Sequence, residues 1–294
     1  MKRLAEYVLR YYVARRKQIK KEATMLTTAD KCAAFRKLHE SGCFIIPNPF
    51  DVGSAKALQH LGFKALASTS AGFAWTIGKA DNRVTVDDVC THLAAICAAV
   101  DIPVNADFED GFAHEPDKVG ANVARAVKTG VAGLSIEDFT GDNAKPLFDR
   151  ALAVDRIRAA RKAIDADNSG VMLTGRCEAF LRGQKDLKLV IDRLTAYAEA
   201  GADCLYAPGI ATAEEISAVV KAVAPRPVNL LVGAAGPSLK DAGALGVRRI
   251  SVGGALARMA WAGFMKASKE MAEQGTFGEF ANGYPGGELN KMFS

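Results

Sequence analysis

From residue 43 onward the chain alternates short apolar runs with longer segments whose apolar residues recur at helical spacing. The short runs are 43–47 (CFIIP), 64–69 (KALAST), 102–106 (IPVNA), 131–137 (VAGLSIE), 170–176 (GVMLTGR), 202–208 (ADCLYAP), 226–232 (RPVNLLV) and 247–253 (VRRISVG). Each has the length of a strand, and most are bounded by turn residues. Helices are predicted between and after them, over 51–61, 85–100, 116–129, 151–165, 185–200, 212–223, 237–245 and 254–274. Asp51, Thr85 and Thr212 stand where an N-cap is needed and Pro116 suits a first turn, while Gly follows several helix ends, as at Gly62, Gly130, Gly201 and Gly246.

Eight strand-then-helix units with nearly continuous apolar strands imply a parallel sheet covered by helices. The fold class expected is therefore α/β, a (β/α)8 TIM barrel, because closure leaves no exposed edge strand. An open dinucleotide-binding sheet would need G-x-G-x-x-G after its first strand, and that region reads NPFDVGSA. No phosphate-binding P-loop motif is present either. The expected organisation is a basic helical arm over 1–26, then a barrel with C-terminal helices over 27–294.

Composition, 49% hydrophobic and 24% charged, is that of an ordinary globular chain and excludes disordered and fibrous classes. The net charge of +5 is concentrated at the start: eight basic side chains (Lys2, Arg3, Arg10, Arg15, Arg16, Lys17, Lys20, Lys21) face only Glu6 and Glu22 there. The remaining chain is close to neutral and has no basic stripe or base-reading motif, so no nucleic-acid partner is expected. In the arm, Leu4, Tyr7, Val8, Tyr11 and Tyr12 share one helical side, which suits packing or oligomer contact, or a weak anchor on an acidic surface. There is no run long enough to span a membrane and no secretory signal pattern. Six cysteines without a C-x-x-C pair suit a reducing compartment and argue against structural zinc, so a cytoplasmic location is expected.

The chemistry gathers at strand ends. NADFEDGF (105–112) places Asp107, Glu109 and Asp110 within four residues, although two like charges ~4 Å apart repel by about 4 kcal/mol at an effective dielectric of ~20. In a (β/α)8 barrel the C-terminal strand ends share one mouth. Those ends bring Ser68, Thr69 and Ser70 with Asp81 beyond; Asp107 and Glu109; Glu137 and Asp138; Arg176 and Glu178; Tyr206; and Asn229. Converging carboxylates coexist when a hard divalent cation sits among them, so Mg2+, or Mn2+, is the expected cofactor, with Asp107, Glu109 and Glu137 as metal ligands, directly or through waters. Any one of these acids could instead cap a helix or sit in a loop, the role expected of Asp110 and Asp138.

The ordered set of a Ser/Thr-rich loop, Asp81, ADFEDGF, SIEDFTGD, TGRCEAF and PVNLLVG resembles the isocitrate lyase/phosphoenolpyruvate mutase superfamily over residues 28–275. The resemblance implies a Mg2+-bound α-keto or α-hydroxy carboxylic acid substrate and an enolate-like intermediate in C–C or C–P cleavage. By position it makes Asp107 the direct metal ligand, with Glu109 where the family commonly has Asp. Asp81 and Glu137 complete a water-linked shell and form the catalytic set with Arg176. Ser68, Thr69, Ser70, Asp107, Arg176 and Asn229 bind substrate. The planar fork of Arg176 matches a carboxylate; a structural ion pair with Glu178 or Glu137 is the other reading of this residue.

The chain departs from the lyase members at 138–149, DFTGDNAKPLFD, where they carry a Cys-bearing K-[KR]-C-G-H loop. Isocitrate or methylisocitrate cleavage is therefore not expected. Asn143 and Lys145 stand in reversed order to the Asn and Lys of mutase members and read as turn residues. Oxaloacetate decarboxylation is the first expectation, and an α-keto acid binding protein with little turnover the alternative. His114 could serve as an acid or base or simply meet solvent. The apolar bulk of 258–277, with Trp261 and Phe264, suits a homo-oligomer contact, in a dimer or tetramer, or ordinary barrel-side packing.

Overall fold

A computed structural model describes residues 26–294. The basic arm expected over 1–26 lies outside the described residues except for Leu26. The strands are β1 (Phe44–Ile45), β2 (Leu66–Ala67), β3 (Val104–Asp107), β4 (Gly133–Glu137), β5 (Met172–Arg176), β6 (Cys204–Tyr206), β7 (Val228–Leu231) and β8 (Arg249–Ser251). The helices are α1 (Thr28–Leu38), α2 (Val52–His60), α3 (Ser70–Thr76), α4 (Val86–Ala99), α5 (Pro116–Val127), α6 (Arg150–Asp167), α7 (Leu187–Glu199), α8 (Ala213–Val223), α9 (Leu239–Ala244), α10 (Ala255–Gln274) and α11 (Gly286–Phe293), with a 3-10 turn at Gly278–Asn282.

All eight expected strands form, each shorter than its apolar run. β1 stops at Pro47, which has no N–H to give a ladder. β2 stops because Thr69 already caps α3, its side chain accepting from Gly72 N at 3.3 Å. The caps at Asp51, Thr85 and Thr212 accept from Ser54, Asp88 and Glu215 backbone N–H groups, and Pro116 opens α5.

Every strand pair is parallel, in the order β1-β8-β7-β6-β5-β4-β3-β2. The two ends of that order also meet: Ala67 N donates to Pro47 O (3.0 Å), and Asn48 Nδ2 donates to Ser68 O (2.9 Å). Arg249 of β8 reaches Asn105 of β3 and Thr174 of β5, strands that are not its neighbours, so the sheet curls around its own interior. This arrangement is consistent with the expected (β/α)8 barrel.

The strands are less uniformly apolar than anticipated, and the reason is the curl. Leu134, Ile136, Leu173, Leu205, Leu230 and Ile250 pack with the helices in one core, while the alternating residues Ser135, Glu137, Thr174, Arg176, Tyr206, Asn229 and Arg249 face the interior. On the helix side, α7 lies so close that a Cβ on Gly175 would sit 2.9 Å from Tyr197 Cβ, which requires glycine there. Among the described residues no helix is long and apolar enough to cross a membrane.

Candidate active site

Parallel register builds the site. Glu137 pairs with Arg176, Arg176 with Tyr206, Tyr206 with Asn229, and Asn229 with Arg249. Side chains of in-register partners point to the same face of a sheet, so five strands deliver one row of functional groups. Asp107 joins it from β3.

Arg176 is the hub. Its Nε donates to Glu178 Oε1 (2.6 Å), and its Nη1 lies 3.2 Å from both Asp107 Oδ1 and Glu137 Oε2. Its guanidinium carbon is 5.1 Å from the centre of the Tyr206 ring. Burial works against the Arg176 charge, but Glu137 and Glu178 more than offset this and hold its pKa well above the usual range. Nη2 donates no hydrogen bond among the described residues, and Arg176 lines a cavity of about 240 Å³ together with Ser68, Thr69, Ser70, Asp81, Asp107 and Asn229. The ion-pair reading and the cavity reading of Arg176 thus hold together.

The three hydroxyls after β2 are more committed than the sequence suggested. Ser70 N and Oγ both donate to Asp107 Oδ2 at 2.9 Å, Ser68 Oγ accepts from Asp107 N at 2.9 Å, and Thr69 Oγ1 caps α3. Ser68 and Ser70 fix Asp107 as much as they line the cavity. Asp81 stands on the exposed rim.

Glu109 and Glu137 line a neighbouring cavity instead, with Asp110, His114 and Phe139. One nitrogen of Arg176, Nη1, touches both Asp107, which lines the first cavity, and Glu137, which lines the second. Glu109 is buried in a left-handed conformation (φ 45°), and its carbonyl accepts from Glu137 N at 2.9 Å. Burial, and then the negative Asp107, Asp81 and Asp110, push its pKa up to about 8. Burial likewise raises Glu137 well above the carboxylate range, against the pull of Arg176.

Among the described residues no three His, Cys, Asp or Glu side chains close on one point, so an all-protein metal cage is absent there. What they provide is an open, oxygen-only donor set in which Glu109 Oε1 is buried without a hydrogen-bond partner. That set fits Mg2+ or Mn2+, which keep several waters and need one or two carboxylates.

Asp138 corrects an expectation. It is no loose loop residue but a buried anchor: Oδ2 accepts from Tyr197 OH (2.6 Å) and Arg193 Nη1 (3.1 Å), and Oδ1 from Glu178 N (2.8 Å). It holds the base of the 138–149 loop, whose two arms meet in a single antiparallel bridge between Phe139 and Leu147 and whose tip, 141–145, is exposed. Asn143 and Lys145 lie on that tip, as turn residues do. Asp110 is the loop residue expected, accepting from Phe112 N at 2.8 Å. His114 packs edge-on against Phe148 at 5.1 Å, and Cys177 is fully buried. Asn48 and Arg249 are among the lining residues that went unnoticed in the sequence. Asn48 follows β1 as Asp107 ends β3, and Arg249 is a charge on the interior side of an apolar strand; both were signals.

The family model described as phosphoenolpyruvate phosphomutase matches residues 35–272. The chain belongs to the isocitrate lyase/phosphoenolpyruvate mutase superfamily. Its named members among the relatives are lyases or mutases of small carboxylic acids. A Burkholderia cenocepacia crystal structure described as a candidate lyase/mutase is 46% identical, covering 90% of this chain and 97% of that one, with a TM-score of 0.87. Oxaloacetate decarboxylase of Paraburkholderia xenovorans is 29% identical over 72% of this chain and 71% of its own length. The structure of oxaloacetate acetylhydrolase in complex with the product oxalate is 26% identical with a TM-score of 0.80, covering 90% and 94%. Superfamily membership, expected from the ordered motifs, is thereby shown.

Proposed function

We propose that the chain is a divalent-metal-dependent lyase that cleaves a C–C bond of a small α-keto or α-hydroxy carboxylic acid through an enolate, with oxaloacetate decarboxylation as the leading reaction. The observation that supports it most is the Arg176 knot: one guanidinium held by Asp107, Glu137 and Glu178 in the cavity wall with Nη2 left to donate. Mg2+ or Mn2+, held by Asp107, Glu109 and Glu137 directly or through waters, would supply a Lewis acid for the substrate carbonyl. Arg176 Nη2 binds an oxygen of the substrate carboxylate and stabilises negative charge as the bond breaks. Ser70 keeps Asp107 in place, Asp81 stands at the rim, and Ser68, Thr69 and Asn229 line the bound acid.

Incubation with Mg2+ and oxaloacetate, phosphonopyruvate or methylisocitrate tests this, with pyruvate release as the readout for oxaloacetate. Turnover of oxaloacetate and none of methylisocitrate is expected, since 138–149 has no Cys or His. Binding without product from any of the three would favour the alternative, an α-keto acid binding protein, which the short, exposed loop tip supports.

A second copy of the chain is the proposed occupant of the C-terminal face, giving a dimer or tetramer. Along α10 only Ala257 is buried, while Met259 (70% exposed) and Phe264 (60%) stand open beside Trp261 and Met265. Light scattering at tens of micromolar is expected to show an oligomer, and Phe264→Glu a smaller species. A wild-type monomer would refute the assignment.

A further inference from the structure

Arg249 is 3% exposed, yet each of its partners among the described residues is neutral. Nε donates to Asn229 Oδ1 (2.9 Å), Nη2 to Thr174 Oγ1 (3.0 Å), and Nη1 lies 3.4 Å from both Asn105 Oδ1 and His39 Nε2. One side chain thus ties β7, β3 and β5 to α1's end across the interior. A buried ion without a counter-ion is unfavourable, so its presence here calls for a role.

Donor logic shows what that role is. A guanidinium has five N–H donors and no acceptor. Asn229 must therefore turn its oxygen to Arg249, which leaves its NH2 edge elsewhere: one hydrogen goes to Ser251 Oγ (2.9 Å), and the other has no partner among the described residues. Both Asn229 and Arg249 line the 240 Å³ cavity. The far end of the chain of bonds is equally directional. His39 Nδ1, 2.8 Å from Phe35 O, must be the donor there, so Nε2 offers its lone pair to Arg249. Burial, and then the Arg249 charge, press the His39 pKa down to about 3, which keeps the ring neutral and accepting.

We infer that Arg249 is a positioning residue: by binding the oxygen of the Asn229 amide, it fixes that amide with an N–H toward the cavity, where it receives an oxygen of the bound carboxylic acid. A glutamine at 249 could present either an oxygen or an NH2 and would leave Asn229 free to flip; an arginine cannot. The inference rests on the proposed function, because it needs the acid in this cavity.

Oxalate, titrated calorimetrically with Mg2+ into the full chain, is the probe. Wild type should bind it, and Arg249→Gln, which can turn an oxygen as well as an NH2 to Asn229, should bind about tenfold more weakly. In an Asn229→Ala background the same change should cost less than about twofold, because there is no amide left to orient. Equal losses in both backgrounds would mean a structural role only and overturn the inference while leaving the functional reading intact. No oxalate binding by wild type would defeat that reading and this inference together. Asn229→Asp decides the amide orientation even if Arg249→Gln fails to fold. With an oxygen on both sides it should lose at least tenfold, and wild-type affinity in that variant would overturn the inference.

Discussion

Replacing Arg176 by lysine is expected to lower kcat/KM for oxaloacetate by about a hundredfold or more with the fold retained, on the scale of removing one preorganised donor to developing negative charge. Lysine preserves the charge but is a single point on a flexible stem. It cannot meet Glu178 through one nitrogen and Asp107 and Glu137 through a second, as Arg176 does, and still offer a third to the substrate, as the proposed role requires. The acids would draw the ammonium to themselves and leave the cavity wall without a donor. Steady-state kinetics with a circular-dichroism melt checks this. A lysine variant within about threefold of wild type would show that Arg176 serves only the ion-pair network.

Asp138→Ala carries the largest expected stability loss, about 3–5 kcal/mol, the usual range for breaking a buried pair by removing one partner. Burial keeps the Asp138 pKa raised in spite of Glu178 N, Tyr197 and Arg193, so the charge is held there at a cost. The loss comes from what remains: Arg193 would lose the carboxylate 3.1 Å away, Tyr197 OH its acceptor, and Glu178 N its cap. Asp138→Asn keeps an oxygen acceptor and should lose only about 1–2 kcal/mol. Urea unfolding of both variants measures the difference. Alanine and asparagine variants of equal stability would contradict the role assigned to this carboxylate.

The fold was legible wherever period and punctuation agreed. Eight apolar runs with capping residues between them became eight parallel strands and the helices expected around them, because burial on the helix side and cap chemistry are both local properties. α1 was overlooked although Thr27 and Asp30 form a complete capping box, since too few apolar residues follow at regular spacing. α3 was read as loop because it starts one residue after its strand-end cap, leaving no room for a separate signal. At the site, strand-end position put Asp107, Arg176 and Asn229 in one cavity wall, where they lie. What it could not convey was partition: that Glu109 and Glu137 open to a second space, or that Asp138 turns away to Tyr197 and Arg193. Those depend on which way side chains leave their turns, and the left-handed Glu109 sends its carboxylate where no periodicity records it.

In the proposed site these strand ends hold one divalent ion, which engages a carboxylate-bearing ligand. Titration of the metal-stripped chain with Mn2+, followed by loss of the free-ion electron paramagnetic resonance signal, measures this. One ion per chain is expected, bound more tightly when oxaloacetate is present and lost in Asp107→Asn. Unchanged free Mn2+ with and without the keto acid would contradict it.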